Sequence, residues 1–269
     1  MKISYQNRWA FIVGGSMGIG YALAKEFLEK KSNVLIIARN EGKLKTATQQ
    51  LKTLYPESTI QYLAVDATKN EIISKKFKEL AFEGIVPYFL LNCAGRAIPN
   101  YFEKISSQQL EETFRLNVLT AWNSIQAALP FMKISGGFII NTSSIAGFLG
   151  VFGYADYSIS KFGIIGLSEV LRSELETMNI KVAVLCPPDT DTPGYLEENK
   201  TKPAETVAIS ANSKLISAEI VAKRTLKELE KGRFILLVNA ETKLTWILKK
   251  WAPNFLFNFI QKEVRKIQN

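Results

Sequence analysis

A chain of 269 residues with 47% hydrophobic and 22% charged side chains holds enough apolar material for one full core and too much to remain disordered. It contains no histidine, which removes imidazole bases, histidine metal sites and any Ser-His triad, so no metal centre is expected. The net charge of +9 is not matched by basic clusters interleaved with stacking aromatics in the body of the chain, which speaks against a nucleic-acid partner.

Cys93 and Cys186 are too few for a disulfide framework and read as small buried hydrophobes in a reducing compartment. Polar Ser4, Gln6 and Asn7 lead directly into the first apolar run, so no cleavable leader is expected there. No stretch reaches the roughly 18 uninterrupted apolar residues of a membrane span.

Trp9-Ala10-Phe11-Ile12-Val13 is a short apolar run that stops at glycine, as a parallel strand buried on both faces does. Gly14-x-x-x-Gly18-x-Gly20 follows, with Ser16 and Ile19 in the same turn, and residues 21–30 carry Ala22, Leu23, Phe27 and Leu28 at helical spacing. A glycine turn between strand and helix presents backbone N–H groups and a helix dipole to a pyrophosphate. The second strand, 33–38, ends before Arg39-Asn40 with no acidic residue at that point. Arg39 is therefore a candidate for the 2′-phosphate of NADP(H), the other reading being a solvated charge at a helix start.

Residues 43–54 read as an amphipathic helix, 60–65 as a strand closed by Asp66, 69–82 as a helix, and 88–91 as a strand running into Asn92-Cys93-Ala94-Gly95. One long helix is expected over 108–132, carrying Asn117, then a strand over 138–141 and a helix over 157–178. A strand over 182–185, a helix over 218–231 and a seventh strand over 234–238 complete the body. This alternation predicts an α/β architecture: a Rossmann-type doubly wound parallel sheet of about seven strands with helices on both faces. Residues 1–240 form one domain, with a substrate loop at about 189–215, and 241–269 form a separate tail.

The chemistry sits between Asn141-Thr142-Ser143-Ser144 and Tyr157-Ser158-Ile159-Ser160-Lys161. Tyr157 and Lys161 lie four residues apart and share a helix face. A phenol with an ordinary pKa near ~10 is a poor acid or base at neutral pH unless a cation favours its anion, and Lys161 is the available cation.

The glycine pattern, Asn92-Cys93-Ala94-Gly95, Ser144 thirteen residues before Tyr157, and Tyr157-x-x-x-Lys161 together resemble the short-chain dehydrogenase/reductase family over residues 8 to about 240. The resemblance implies a catalytic set of Asn117, Ser144, Tyr157 and Lys161. In it Lys161 also grips the nicotinamide ribose and Asn117, a buried amide that reads as a structural hydrogen bonder, holds a water as well. It implies cofactor contacts at Gly14, Ser16, Gly18, Ile19, Gly20, Asp66, Asn92, Ala94, Gly95, Pro187, Thr190 and Thr192, and a homodimer or homotetramer. The sequence departs from the family at Cys93, where alanine is commoner, and at Pro188, which replaces a glycine and removes one backbone donor.

The stretch 187–206 and Ala38-Arg39-Asn40-Glu41 resemble the branch of the family that reduces 3-ketodihydrosphingosine, a long-chain amino ketone, with NADPH. Asp189, Asp191, Glu197 and Glu198 are then candidates for the substrate ammonium, although they read equally as a solvated loop face. Reduction of another lipid ketone, of 3-oxoacyl or steroid type, is an alternative, and so is a non-catalytic NADP-binding sensor or scaffold. In the tail, Leu244, Ile247, Leu248, Trp251, Phe255, Leu256, Phe259 and Ile260 recur at helical spacing. From residue 243 to 269, Lys243, Lys249, Lys250, Lys262, Arg265 and Lys266 stand against Glu263 alone, which places more than half of the excess charge in that stretch. Such a pattern suits a helix lying in a membrane interface and equally one that covers the substrate cleft or a dimer contact. The expected location is cytoplasmic, peripheral on a membrane facing the cytosol.

Overall fold

In the computed structural model, which describes residues 3–268 apart from Asn212, strands and helices alternate along the body of the chain. The first half comprises β1 (Trp9–Val13), α1 (Gly18–Glu29), β2 (Asn33–Ala38), α2 (Glu41–Leu54), β3 (Ile60–Ala64), α3 (Asn70–Phe82), β4 (Pro87–Asn92), α4 (Ser107–Phe114) and α5 (Thr120–Ser135). The second comprises β5 (Gly137–Thr142), α6 (Ala155–Glu174), β6 (Ile180–Leu185), β7 (Thr190–Asp191), α7 (Pro193–Asn199), α8 (Ala204–Ala211), β8 (Ile216–Ser217), α9 (Ala218–Glu230), β9 (Ile235–Leu236), α10 (Ala240–Trp251) and α11 (Pro253–Gln268).

Seven strands form one parallel sheet in the order β3-β2-β1-β4-β5-β6-β9. Side chains alternate along each strand, and both faces are apolar. Ile12, Val34, Ile36, Leu91 and Ile140 pack with Leu23 and Phe27 of α1, Leu44 of α2 and Val221 of α9. Phe11, Leu35, Ile37, Leu90 and Ile139 pack with Phe77 of α3, Met132 of α5 and Leu171 of α6. This double burial is why the strands read as unbroken apolar runs. Strand order reverses between β1 and β4, so the connections leaving those two strands diverge and open a crevice at their carboxyl ends.

Four local differences from expectation bear on the site. The helix expected over 108–132 is interrupted by a π turn at Arg115–Leu119, which carries the buried Asn117. Such a turn inserts an extra residue into the helical ladder and re-aims its side chains. β9 has only two residues, because only Ile235 and Leu236 find partners, in Val184 and Leu185 of β6. β7 and β8 form a two-stranded parallel sheet, too short for any periodicity to announce, and it brackets α7 and α8. Helix α6 begins at Ala155, ahead of Tyr157, and ends at Glu174, short of Met178.

The tail is two helices folded back onto the body. Trp246 of α10 meets Phe148 edge to face at 4.9 Å. Leu256 and Val264 of α11 are buried, and α11 packs on α8. Gln268 donates to Glu205 at 3.1 Å, and the Tyr101 hydroxyl donates to the other oxygen of that carboxylate at 3.0 Å.

Candidate active site

One cavity of about 910 Å³ crosses the carboxyl ends of the central strands and reaches the tail. It starts at the glycine turn. Gly14 has φ +85°, and a Cβ there would fall 2.6 Å from the Ala94 nitrogen; a Cβ on Gly20 would fall 2.3 Å from the Gly14 carbonyl oxygen. No other residue fits without moving backbone. Helix α1 opens at this turn with no side-chain cap on its N–H groups and no acidic residue in its first turn. Unsatisfied donors at the positive end of a twelve-residue helix, facing a cavity, fit the pyrophosphate of a dinucleotide.

The other cofactor candidates divide. Gly14, Ser16, Gly18, Ile19, Gly20, Arg39, Asp66, Ala94, Gly95, Pro187, Thr190 and Thr192 all line the cavity. Arg39 is exposed at its far end beside Asn40 and Lys43. Asp66 accepts from the backbone N–H and hydroxyl of Thr68 at 3.0 and 2.8 Å. Asn92 is not among the lining residues: it donates to Asn141 at 2.8 Å and accepts from the Ser124 hydroxyl at 2.6 Å, so it ties β4 to β5 and α5. The Thr192 oxygen caps α7 by accepting from the Tyr195 N–H at 3.1 Å, and the Thr190 hydroxyl donates to the Pro188 carbonyl at 2.7 Å.

At the centre, Ser144, Tyr157 and Lys161 line the cavity together. The neighbouring Ser143 hydroxyl donates to the Lys161 carbonyl at 2.8 Å and is buried, which leaves Ser144 as the serine that meets Tyr157. Lys161 is 4% exposed, its Nζ donates to the Thr142 carbonyl at 2.9 Å, and it lies 5.5 Å from the centre of the Tyr157 ring. Burial lowers its pKa to about 8. Burial also raises the Tyr157 pKa and the charge of Glu198 adds to the rise, while the Ser144 hydroxyl acts the other way. Desolvation therefore outweighs the acidifying effect expected from Lys161, and the phenol is held in the protonated form that a proton donor needs.

Asn117 makes the structural hydrogen bonds expected of a buried amide. Its amide donates to the Arg96 carbonyl and to Ser160, both at 3.0 Å, and its oxygen accepts from the Arg96 N–H at 2.9 Å. Both N–H groups are engaged, and the residue stands behind Gly95 rather than on the cavity. A Cβ on Gly95 would come within 3.1 Å of the Asn117 oxygen and 3.3 Å of Lys161 Nζ. The side chain thus clamps the wall against which Lys161 rests.

Of the four acidic candidates, Asp189 and Glu198 line the cavity. Asp191, on β7, is exposed outside it, and Glu197, on α7, is exposed with an ion pair to Lys200 at 2.7 Å, so neither side chain is brought to the cavity. Burial raises the thiols of Cys93 and Cys186 to about 11 and about 12, so neither is a ready nucleophile.

Sequence reasoning missed Tyr154, whose hydroxyl donates to Glu198 and whose ring lies 5.7 Å from that of Tyr157. It missed Lys202, paired with Glu198 at 3.2 Å and set 4.1 Å over the Tyr195 ring. The spacings of three and four residues that bring these groups together were visible, but only the fold shows which face they share. Lys43 was missed as well. The tail supplies Leu244, Leu248, Phe255, Leu256, Phe259 and Ile260 to the same cavity.

Residues 8–203 match the short chain dehydrogenase family. The chain belongs to this family of nicotinamide-dependent oxidoreductases. It is 35% identical over 265 residues to the 3-ketodihydrosphingosine reductase of Dictyostelium discoideum, which spans 92% of this chain and 79% of that protein. It is 37% identical over 227 residues to the mouse (Mus musculus) 3-ketodihydrosphingosine reductase, spanning 83% and 68% of the two chains. Among solved structures, a short chain dehydrogenase/reductase from Burkholderia phymatum in complex with NAD superposes with a TM-score of 0.82 over 94% of this chain and 96% of that one, at 20% identity.

Proposed function

We propose that the protein reduces the ketone of 3-ketodihydrosphingosine to the alcohol, giving sphinganine, with NADPH as reductant. The observation that carries this reading is the continuity of one cavity through three chemically distinct regions. Arg39 and Lys43 stand at the end where a 2′-phosphate is to be recognised, Asp189 and Glu198 stand beside Tyr157, and apolar side chains of α10 and α11 roof the remainder. An anionic cofactor, an ammonium next to a ketone, and a long alkyl chain are met in that order. The likeness to the Dictyostelium and mouse reductases supports the same substrate.

A reduced nicotinamide bound in this cavity supplies the hydride. The Ser144 hydroxyl donates to the ketone oxygen and stabilises the negative charge that develops there. Tyr157, kept protonated by burial, passes its Oη proton to that oxygen. The Lys161 ammonium, immobilised by Thr142 and the Gly95–Asn117 wall, stabilises the phenolate left behind and offers its remaining protons to the ribose hydroxyls. Asn117 contributes by holding that wall.

The outer face of the tail supports peripheral membrane contact from the cytosolic side. Ile247, Trp251 and Phe257 are exposed there among Lys249, Lys250 and Lys262. No helix among the described residues is long and apolar enough to cross a membrane. Exposed Trp122, Phe162 and Val170 on α5 and α6 suit a second copy of the chain, in a homodimer or homotetramer.

The test is NADPH oxidation in mixed micelles with 3-ketodihydrosphingosine, a 3-oxoacyl thioester and a 3-ketosteroid, with products identified by mass spectrometry. Sphinganine formed at the highest kcat/KM supports the reading. Faster turnover of another ketone, or NADPH binding with no turnover of any, overturns it.

A further inference from the structure

The substrate half of the cavity is acidic in a protein that is basic overall. Asp189 and Glu198 face it next to Tyr157, and Glu241 and Glu263 enter from the tail, where Glu263 is paired with Lys266 at 2.7 Å. Glu198 differs from the others in how it is held. Its side chain is 17% exposed, and both of its protein contacts fall on Oε1: the Tyr154 hydroxyl and, at 3.2 Å, the Lys202 ammonium. Oε2 receives no hydrogen bond from any described residue, and the side chain lines the cavity.

The supports are themselves buried. Tyr154 is 6% exposed and the Lys202 side chain 2% exposed. Lys202 stays outside the cavity wall, where it also lies over the Tyr195 ring. A buried carboxylate is unfavourable unless charged or hydrogen-bonding groups compensate it. Here the protein's compensation falls on one oxygen, and the other is left without a protein partner in a side chain that lines the cavity. A purely structural acid is satisfied on both oxygens or replaced by an apolar residue of similar volume.

We propose that Glu198 is the specificity-determining residue, receiving through Oε2 the ammonium beside the ketone, with Tyr154 and Lys202 as positioning residues that hold the carboxylate by its other oxygen. This rests on the reading that the substrate is a long-chain amino ketone. It also accounts for an otherwise adverse arrangement. The Glu198 charge raises the Tyr157 pKa and so weakens it as an acid. An ammonium seated on the carboxylate cancels that charge, so the phenol is relieved only when an amino ketone is bound. Binding of the amine and readiness of the proton donor are thereby linked through one side chain.

The experiment compares wild type with Glu198→Gln on 3-ketodihydrosphingosine and on its des-amino analogue, with NADPH affinity measured by fluorescence as the check on folding. The expected result is a pair of opposite changes. Glu198→Gln loses roughly 10- to 100-fold in kcat/KM on the amino ketone, mainly through KM, as expected for removal of a charge-assisted hydrogen bond. It gains a few-fold in kcat on the des-amino ketone, because the anion that opposed Tyr157 is gone. Tyr154→Phe raises KM for the amino ketone a few-fold more than for the des-amino ketone, since the carboxylate remains but its orientation is lost. Equal losses on both ketones, or an unchanged preference for the amino ketone in Glu198→Gln, overturn the assignment of Glu198 and leave the substrate reading standing. A wild type that reduces the des-amino ketone and not the amino ketone overturns the substrate reading with it.

Discussion

Replacing Lys161 with methionine should make the protein more stable and nearly inactive. The amine is 4% exposed and is lowered by burial from 10.5 to about 8, and that gap weighs against the folded state by roughly 3 kcal/mol at pH 7. Methionine keeps an unbranched side chain of similar length and brings no charge. What is lost is the bond from Nζ to the Thr142 carbonyl, a contribution of about 1 kcal/mol. The net is a gain of about 1–2 kcal/mol, or a rise in Tm of roughly 2–8 °C for a chain of this size.

The pH dependence identifies the cause. Below pH 8 the amine is protonated in both the folded and the unfolded chain, so the penalty is complete and constant. Between about 8 and 10.5 the folded chain releases the proton while the unfolded chain keeps it, and this contribution makes the wild type more stable as pH rises. Above 10.5 neither state carries the charge and the penalty is gone. The advantage of Lys161→Met is therefore largest at pH 7 and closes toward pH 10. Urea unfolding of both proteins without cofactor at pH 7, 8.5 and 10 reads this directly. A variant less stable than wild type at pH 7, or a difference independent of pH, refutes the reasoning.

Tyr157→Phe retains the ring and removes the acid, so kcat falls by roughly 100- to 10,000-fold with NADPH affinity near wild type; stopped-flow turnover and fluorescence titration check the two halves. Arg39→Ala combined with Lys43→Ala weakens NADPH by about 10- to 100-fold and NADH by much less, measured as paired dissociation constants. Gly14→Ala places a methyl group within 2.6 Å of backbone at a residue with φ +85°, so it loses more than about 2 kcal/mol of stability in the same urea assay. Trp251→Glu with Phe257→Glu abolishes sedimentation with anionic liposomes while turnover of a micellar ketone persists.

The sheet and the glycine turn were legible because their causes are local. Strands buried on both faces must be apolar along their buried length, as Trp9–Val13 is and as Asn33–Ala38 is beyond its first residue, and the close approach at Gly14 and Gly20 tolerates no side chain. Tyr157 and Lys161 were legible because four residues make one helical turn. The π turn around Asn117 was not, since an inserted residue leaves the apolar pattern on both sides intact. Periodicity in the tail showed that α10 and α11 have an apolar face but carried no information on what covers it. The same gap hid Tyr154 and Lys202, and it let Asp191 and Glu197 stand as equals of Glu198, which alone of the three lines the cavity.

The join at Ala252 and Pro253 has one more consequence. Ala252 leaves the helical conformation, with φ −139° and ψ 57°, and proline cannot continue the helix that precedes it. A straight rod of the same length would pass the mouth of the cleft along one line, whereas two panels set at an angle can shade it from two sides. Both panels give apolar side chains to the cavity, so the bend at a single peptide unit sets the shape of its greasy end.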